Sequence, residues 1–246
     1  MYREYPPPAP LAGLVECLWR HDLSGADADP SGVVLPDGRV DLVWVAGDRP
    51  RVAGPQTRFL PRPVAAPFHT VGARFHPGVG PALLGLPAHE LVDLHVPLDA
   101  VDTRPAAALG DRLAASSDHA GALAALCDAL AALADAAEGL DPLVRQATGL
   151  LDGSDATVRA VASELALSER QLQRRFRESV GYGPKTLQRI LRFRRFLGEL
   201  GRGPDGPGGL AGIAASTGYA DQAHLTRESR ELAGRSPAQL ERLWRP

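Results

Sequence analysis

This 246-residue chain has few cysteines and lacks long apolar runs, and each of these features excludes a class of protein. Cys17 and Cys127 stand alone, without a CxxC pair or the spacing of a zinc site, so we expect two structural thiols in a reducing compartment. No uninterrupted apolar run reaches the roughly 18 residues of a membrane span. The opening segment, MYREYPPPAP, lacks the apolar core of a signal peptide. We therefore expect a cytoplasmic protein that makes no contact with a membrane.

Charge is divided unevenly along the chain, although 27 Lys+Arg against 29 Asp+Glu give a net charge of only −2. Residues 1–140 carry 10 arginines and 17 acidic residues, a net −7, whereas residues 141–246 carry 17 basic and 12 acidic residues, a net +5. Lys185 is the sole lysine, so arginine supplies nearly all of the positive charge. Such asymmetry predicts a polyanionic partner for the second half.

Short apolar runs separated by proline and glycine mark the first hundred residues. The runs are LVECLWR, GVVL, VDLVWVA and FHTVGARF, with a turn signal at Pro36-Asp37-Gly38. This spacing is typical of a small antiparallel sheet or barrel. We therefore predict a β-rich, barrel-like domain with flanking helices over residues 1–104.

Residues 105–140 are rich in alanine and leucine, which predicts a helical connector that includes RPAAALGDRLAAS and HAGALAALCDALAALADAAEGL. An apolar stripe recurs there at steps of three and four residues, and it consists of Leu123, Leu126, Leu130, Leu133, Ala137 and Leu140. The stripe is too short to identify a coiled coil, so it fits either a dimer seam or packing against the sheet domain.

Residues 157–177, TVRAVASELALSERQLQRRFR, have the pattern of two short helices joined by a turn at Ala166-Leu167. Ser168 and Gln171 have the spacing of a capping box at the start of the second helix. The outward face of that helix carries Arg170, Gln173, Arg174 and Arg177. Arginine can bridge guanine O6 and N7, and glutamine can bridge adenine N6 and N7, so the pattern predicts a helix that reads a major groove. A solvated, salt-bridged helix is the alternative, but this face has hardly any acid to pair with its arginines.

The same pattern returns after a long helix, PKTLQRILRFRRFLGEL, and a loop at 201–209. Leu225, Gly234 and Pro237 repeat the spacing of Leu172, Gly181 and Pro184. Asp221 is the expected cap of the last recognition helix, whose outward face carries Gln222, Ala223, Thr226, Arg227 and Arg230. An internal repeat of this kind indicates two helix-turn-helix units, with recognition helices over about 169–179 and 222–232.

The stretches VASELALSERQLQRRFRESVGYGPKTLQRILRFRR and IAASTGYADQAHLTRESRELAGRSP resemble the DNA-binding domain of the AraC/XylS family of bacterial transcription regulators. The segments LPDGRVDLVW, AGPQT, GARFHPG and LGLPAHELVDLHVPL are similar to a sensor-like domain fused to it in one subgroup. The resemblance implies an α+β chain with an all-α DNA-binding domain over 141–246. It implies a transcription regulator without enzymatic activity, cofactor or metal.

By this resemblance the two recognition helices enter successive major grooves of promoter DNA, roughly 34 Å apart. Base contacts are then expected from Arg170, Gln173, Arg174, Gln222, Ala223, Thr226 and Arg227. Phosphate contacts are expected from the flanking residues Arg177, Arg192, Arg194 and Arg230. RNA polymerase, a small-molecule effector and a second copy of the chain stay open as further partners.

Three features depart from the family pattern and favour the first unit as the main source of specificity. Ser229 stands where the second unit usually has a core phenylalanine, which costs a few kcal/mol if nothing refills the space. Leu240-Glu241 replaces a Tyr-Arg pair, and the Gly/Pro loop at 201–209 precedes the second unit.

The first half leaves other functions open. Metal-capable side chains occur at His69, His76, His89, Glu90, Asp93 and His95, but HELVDLH lacks the HExxH spacing of a zinc helix. Aromatic residues that suit either an effector pocket or a plain core occur at Trp19, Trp44, Phe68 and Phe75. A metal-binding or enzymatic first domain, and a sequence-blind architectural DNA-binding role, are the alternatives.

Overall fold

The computed structural model describes residues 2–23, 33–45, 48–61, 68–101, 107, 111, 113, 119–134, 140–153, 156–202 and 209–244. Most of the predicted helix at 104–116, and the centre of the predicted loop at 201–209, lie outside these ranges. An antiparallel sheet forms the amino-terminal part and helices form the carboxyl-terminal part. This arrangement confirms the predicted α+β class.

The described strands are β1 (Tyr2–Tyr5), β2 (Val15–Leu23), β3 (Val33–Val34), β4 (Asp41–Val45), β5 (Arg51–Ala53), β6 (Leu60–Pro61), β7 (Phe68–Phe75) and β8 (His95–Pro97). Six of them form one sheet in the order β1-β2-β7-β4-β5-β8, and β3 pairs with β6. Neighbouring strands are antiparallel throughout. The strands predicted at β2, β3, β4 and β7 are confirmed. The other four, which have two to four residues each, were not predicted.

Side-chain alternation gives the large sheet two different faces. One face contributes Leu42, Trp44 and Ala73 to a continuous apolar core. On the other face the guanidinium of Arg74 donates hydrogen bonds of 3.3 Å to both carboxylate oxygens of Asp41. These polar groups are tolerated at a covered site because the charges of opposite sign satisfy one another.

The aromatic residues proposed as a pocket lining separate between these faces. Trp44 and Phe75 lie in the apolar core. Trp19 lies on the opposite face, where it pairs across strands with Gly72 and occupies the space that a side chain there would fill. The centroid of its ring is 6.1 Å from that of Tyr2. Because Trp19 is on one face of the sheet and Trp44 and Phe75 are on the other, these three side chains do not line one common pocket. The side chain of Phe68 lies outside the described part.

Helices α1 (Val79–Leu84) and α2 (His119–Ala134) accompany the sheet. Helix α2 packs against β7 and against the short 3-10 helix Ala9–Leu11. Leu126 and Leu130 of α2 are each 1% exposed and belong to the sheet core. Of the two alternatives for the leucine stripe, packing on the sheet is therefore the one that these residues adopt. Ala137 and the side chain of Leu133 lie outside the described part.

The second half is built from α3 (Pro142–Leu151), α4 (Val158–Glu164), α5 (Glu169–Ser179), α6 (Pro184–Gly201), α7 (Gly209–Ser216), α8 (Gln222–Ala233) and α9 (Pro237–Trp244). The predicted start at Asp141 is confirmed, because its side chain accepts a hydrogen bond from the Leu143 amide. A second apolar core joins these helices through Leu172, Phe176 and Leu225, which are all fully buried. No helix in the described ranges is both long and apolar enough to span a bilayer.

The sheet and the helical half meet along α6. A methyl group added to Gly38, whose φ is +80°, would lie 2.7 Å from Cδ1 of Leu187. Glu16 on β2 lies 3.8 Å from the guanidinium of Arg194, and Arg145 donates to the carbonyl of Gly13 at 3.1 Å. The two halves therefore share apolar and polar contacts, while the boundaries drawn at 104 and 140 stay predictions.

Candidate nucleic-acid interface

The first recognition helix, α5, is fixed at its start by the predicted capping box. The amide of Gln171 donates to Oγ of Ser168 at 3.2 Å, and the amide of Ser168 donates to Oε1 of Gln171 at 2.8 Å. Leu172 and Phe176 are each 0% exposed and anchor the helix in the second core. Because one side is anchored in this way, the opposite side is held towards solvent.

That outward side presents the four predicted residues together, and all four are exposed: Arg170, Gln173, Arg174 and Arg177. Within the described ranges, none of the three arginines is in an ion pair. Arg175, on the same helix, forms a salt bridge with Asp141. Arg175 points to the other side and donates to Asp141 at 2.5 Å. The amide of Gln173 lies over Gly183, where any added methyl group would collide with it. The face is therefore cationic and without internal neutralisation.

The turn before α5 contains a residue other than glycine with a positive φ. Ala166 has φ +53°, in the left-handed region that side chains disfavour. The equivalent turn of the second unit has Gly218, with φ +87°. Both units thus use the same turn, but the first uses an alanine for it.

The second recognition helix, α8, begins at the predicted cap. The carboxylate of Asp221 accepts a hydrogen bond of 2.6 Å from the amide of His224. Leu225 and Leu232 are buried, and Gly234 ends the helix with φ +65°. The helix therefore has the same inward anchor and the same kind of end as the repeat pattern predicted.

The outward face of α8 is less charged than that of α5. Its exposed members are Gln222, Ala223, Arg227 and Arg230. Thr226 is half-buried, and its hydroxyl donates to the carbonyl of Gln222 at 2.8 Å. This internal bond leaves the hydroxyl oxygen as a hydrogen-bond acceptor.

Two residues predicted to contact phosphate are engaged inside the protein. Arg192 donates to both carboxylate oxygens of Glu228 at 3.1 and 3.2 Å and lies 5.0 Å over the ring of Tyr219. Arg194 faces Glu16 of the sheet, and burial together with the charge of Arg39 lowers its pKa. These placements disfavour the predicted phosphate contacts, because a guanidinium that pairs with a protein carboxylate is less available to a DNA backbone.

The sequence reading missed the ion cluster that attaches α8 to α6. The side chain of Glu228 is 7% exposed, and it is approached by Arg189 at 2.9 Å and by Arg192 at 3.1 Å. Burial lowers the pKa of Arg189, but the hydrogen bonds and charges of Glu228 and Glu231 together outweigh this and raise the pKa above its ordinary value. The signal was present in the sequence, because Glu228 lies between Leu225 and Leu232 on the inward side of the helix. A carboxylate at such a position requires cationic partners.

The metal-capable residues of the first half do not converge. Among the residues described, no group of three or more His, Cys, Asp and Glu side chains could hold a metal ion. His69 pairs with Asp22 at 3.0 Å, and His76 lies 3.3 Å from the carbonyl of Ala12. Asp93 instead accepts hydrogen bonds from Thr57. These histidines and acids have separate local partners.

Comparison with known proteins identifies the two regions separately. Residues 161–242 match the family described as a helix-turn-helix domain. Residues 3–97 match a family described as a domain of unknown function. The chain thus carries an AraC-type helix-turn-helix domain at its carboxyl end and is a DNA-binding regulator of transcription. This confirms the resemblance found in the sequence.

Solved structures give similarities of low score. The C-terminal domain of AraT, a response regulator from Geobacillus stearothermophilus, is 26% identical over 43% of this chain and 88% of its own, with a TM-score of 0.38. ToxT from Vibrio cholerae O395 is 9% identical over 92% of this chain and 96% of its own, with a TM-score of 0.45. A second structure of ToxT is 8% identical over 98% of each chain, with a TM-score of 0.43. No curated protein matches the chain.

Proposed function

We propose that this regulator binds promoter DNA by placing α5 and α8 in successive major grooves of one duplex. The observation that carries the proposal is the pair of outward faces on equivalent helices. Both present exposed guanidinium and amide groups, and on α5 these groups have no acidic partner within the described part of the chain. An arrangement of one buried and one cationic face is what a helix needs to enter a groove.

Within the first unit, the proposed base-reading residues are Arg170, Gln173 and Arg174. The arginines present a fork of donors and the glutamine presents a donor beside an acceptor, and these patterns distinguish one base pair from another in the major groove. Arg177 lies one turn further along the helix and is assigned to a phosphate, which positions the helix without reading sequence.

Within the second unit, the proposed readers are Gln222, Ala223, Thr226 and Arg227, and Arg230 is assigned to a phosphate. Ala223 offers only an apolar contact, which suits the methyl group of thymine. Thr226 offers its methyl group and an acceptor oxygen, because its proton is donated to Gln222. Arg192 and Arg194 are removed from the proposed DNA contacts, since both hold protein carboxylates.

The β-rich part is proposed to regulate the binding of α5 and α8 to DNA. It contacts α6 through Gly38 and Glu16, so a change in its shape would reach the helix that joins the two units. Such a change would be brought about by one of three partners: a small-molecule effector, a second copy of the chain or RNA polymerase. Its net charge of −7 over residues 1–140 makes it a poor ligand for DNA itself.

The test is selection of bound duplexes from a random pool by the full chain, followed by titration at several salt concentrations. We expect enrichment of a bipartite site whose halves lie about 10–10.5 base pairs apart. Arg202→Ala is the matched control, because Arg202 is exposed and pairs with Glu199 away from both recognition faces. Binding without sequence preference would instead support the architectural alternative, since phosphate contacts alone are blind to sequence.

A further inference from the structure

One short segment of the first half touches the ends of both recognition helices. We call residues 54–59, GPQTRF, the strap; it follows β5 directly. A methyl group added to Gly181 would lie 3.1 Å from Cγ of Pro55. A methyl group added to Gly234 would lie 2.7 Å from both Cε1 and Cζ of Phe59. Pro55 therefore lies against the end of the first unit, and the ring of Phe59 lies against the end of the second.

The two glycines are equivalent positions of the internal repeat. Gly181 follows α5 and has φ +99°, and Gly234 caps α8 with φ +65°. A left-handed backbone conformation favours glycine, so each recognition helix is followed by one residue that has no side chain. At Gly234 the ring of Phe59 occupies the space that a side chain would fill, and at Gly181 Pro55 does so together with Val92 and Ala88, which lie closer.

The strap is held in a defined conformation by the turn at 91–94. The amide and hydroxyl of Thr57 donate to the two carboxylate oxygens of Asp93 at 2.7 and 2.6 Å. The amide of Gly54 donates to the carbonyl of Leu94 at 2.9 Å. The amide of Asp93 donates to the carbonyl of Pro55 at 3.2 Å. Pro55 and Gln56 are also buried. Residues 54–57, which include the first contact point, are therefore fixed to the sheet half, and Phe59 follows two residues after the last of these hydrogen bonds.

We infer that Phe59 is a positioning residue for the second recognition helix, and that the strap sets the separation of the two helices on DNA. Glu228 attaches the middle of α8 to α6, and Leu225 and Leu232 pack the same inward side into the second core. The contact of Phe59 with Gly234 adds an attachment from the sheet half at the carboxyl end of α8, where it restrains the direction of the helix axis. Four peptide steps separate Pro55 from Phe59, which spans at most about 14 Å. This inference rests on the proposed function.

The experiment uses the full chain and the bipartite duplex obtained by selection. A series of duplexes changes the distance between the half-sites one base pair at a time, and each step turns the second site by about 34°. A further duplex carries the first half-site alone. We expect wild type to prefer one spacing, because a fixed pair of helices cannot follow the rotation. Phe59→Ala should bind the optimal duplex about 10-fold more weakly and distinguish the spacings poorly, since the pre-organised second contact is lost.

Two readouts separate positioning from general damage. Affinity for the isolated first half-site should be unchanged in Phe59→Ala, whereas a partly unfolded protein would lose it as well. Phe59→Tyr keeps the ring and should retain the spacing preference. Leu94→Ala is the matched apolar truncation, because Leu94 adjoins the strap but is 49% exposed. Its binding should equal that of wild type.

Each other outcome has a defined meaning. If wild type selects no bipartite site, the proposed function fails, and this inference fails with it. If wild type prefers one spacing and Phe59→Ala keeps both that preference and the affinity, the inference alone is overturned. An equal loss of affinity for the half-site and for the bipartite duplex would also overturn it, because that result describes a purely structural role.

Discussion

Glu228 on α8 and Arg192 on α6 form a doubly hydrogen-bonded ion pair, with distances of 3.1 and 3.2 Å, in which the glutamate side chain is only 7% exposed. Arg189 approaches the same carboxylate at 2.9 Å. The second recognition helix is thus joined to the linking helix by buried charge as well as by apolar packing. The pairing engages both arginines with the inward side of α8.

Glu228→Gln is expected to lower the free energy of unfolding by about 2–4 kcal/mol, because it leaves Arg192 without its counter-charge in a covered site and Arg189 with Glu231 alone. Chemical denaturation of the full chain measures the change. Glu231→Gln is the control: its side chain is 54% exposed and pairs with Arg189 at the surface, so its effect should stay within about 0.5 kcal/mol. Equal effects of the two substitutions would contradict the assignment of Glu228 as the central attachment.

Ser229→Ala is expected to stabilise the second unit. Ser229 is 0% exposed, and its hydroxyl has no hydrogen-bond partner within the described residues. An unsatisfied buried hydroxyl costs about 1–3 kcal/mol, of which alanine should recover roughly 1 kcal/mol while keeping the packing of Cβ. Thermal denaturation gives the sign. Ser216→Ala, at an exposed position whose hydroxyl bonds to the carbonyl of Ile213, should change stability little. A lower melting temperature for Ser229→Ala would mean that the hydroxyl has a partner.

Ala166→Gly is expected to stabilise the first unit. The left-handed φ of +53° costs alanine about 1–2 kcal/mol, and glycine removes this strain at an entropic cost of about 0.4–1 kcal/mol. The net gain is therefore about 0.5–1 kcal/mol, in line with the glycine that the second unit has at position 218. Ala160→Gly, inside α4, should instead destabilise by about 1 kcal/mol. Effects of the same sign in both variants would refute the strain argument.

The local features of the helical half could be predicted from the sequence, whereas the contacts between distant elements could not. The capping box at Ser168 and the cap at Asp221 depend on residues within one turn, and periodic leucines identify the buried face. Arg192 was assigned to phosphate because its partner Glu228 lies 36 residues away. No periodicity in the sequence links Phe59 to Gly234, since folding alone brings them together.

The first half shows the same limit. Strands β2, β4 and β7 are long enough to alternate, and they were found at nearly their observed positions. Strand β5 has three residues and is identified by its pairing with β4 and β8, which is a property of the assembled sheet. The leucine stripe of α2 fitted two environments equally well, because an apolar face records burial but not the surface that covers it.

Contact between the sheet and α6 is expected to weaken in acid. Burial raises the pKa of Glu16, but the hydrogen bond and charge of Arg39, together with the charges of Arg194 and Arg74, outweigh it and lower this pKa below its ordinary value of 4.5. A carboxyl group with a lowered pKa stabilises the folded protein at pH values above its ordinary pKa. This stabilisation is lost as the pH falls through the lowered pKa. Glu16→Gln should therefore cost about 1 kcal/mol at pH 7, after allowance for solvent screening, and progressively less as the pH falls below 4.5.

Denaturation of wild type and Glu16→Gln across this pH range measures the difference. Glu199→Gln is the matched control, because its pair with Arg202 is exposed and lies within one helix. A cost for Glu16→Gln that is the same at pH 7 and pH 3 would show that the carboxylate charge does not contribute to the contact.

The first unit is expected to supply most of the sequence specificity. Its face has three exposed arginines, while the second unit has an alanine at one reading position and an unsatisfied serine in its core. Arg174→Ala should reduce affinity for the selected duplex by about 1–3 kcal/mol and relax the preference at one base pair, as the loss of a bidentate base contact does. Arg227→Ala should cost less in the same titration at fixed salt.

Arg177→Ala provides the control for charge. A lost phosphate contact weakens binding to all sequences alike and lowers the salt slope by about one, without relaxing the preference at any position. Comparison with Arg174→Ala therefore separates a base reader from a general cation on the same helix. Since the arginines at 174 and 227 occupy equivalent positions of the repeat, the order of their losses reports which unit reads the sequence. An equal or larger loss from Arg227→Ala would assign that role to the second unit, despite its weaker core.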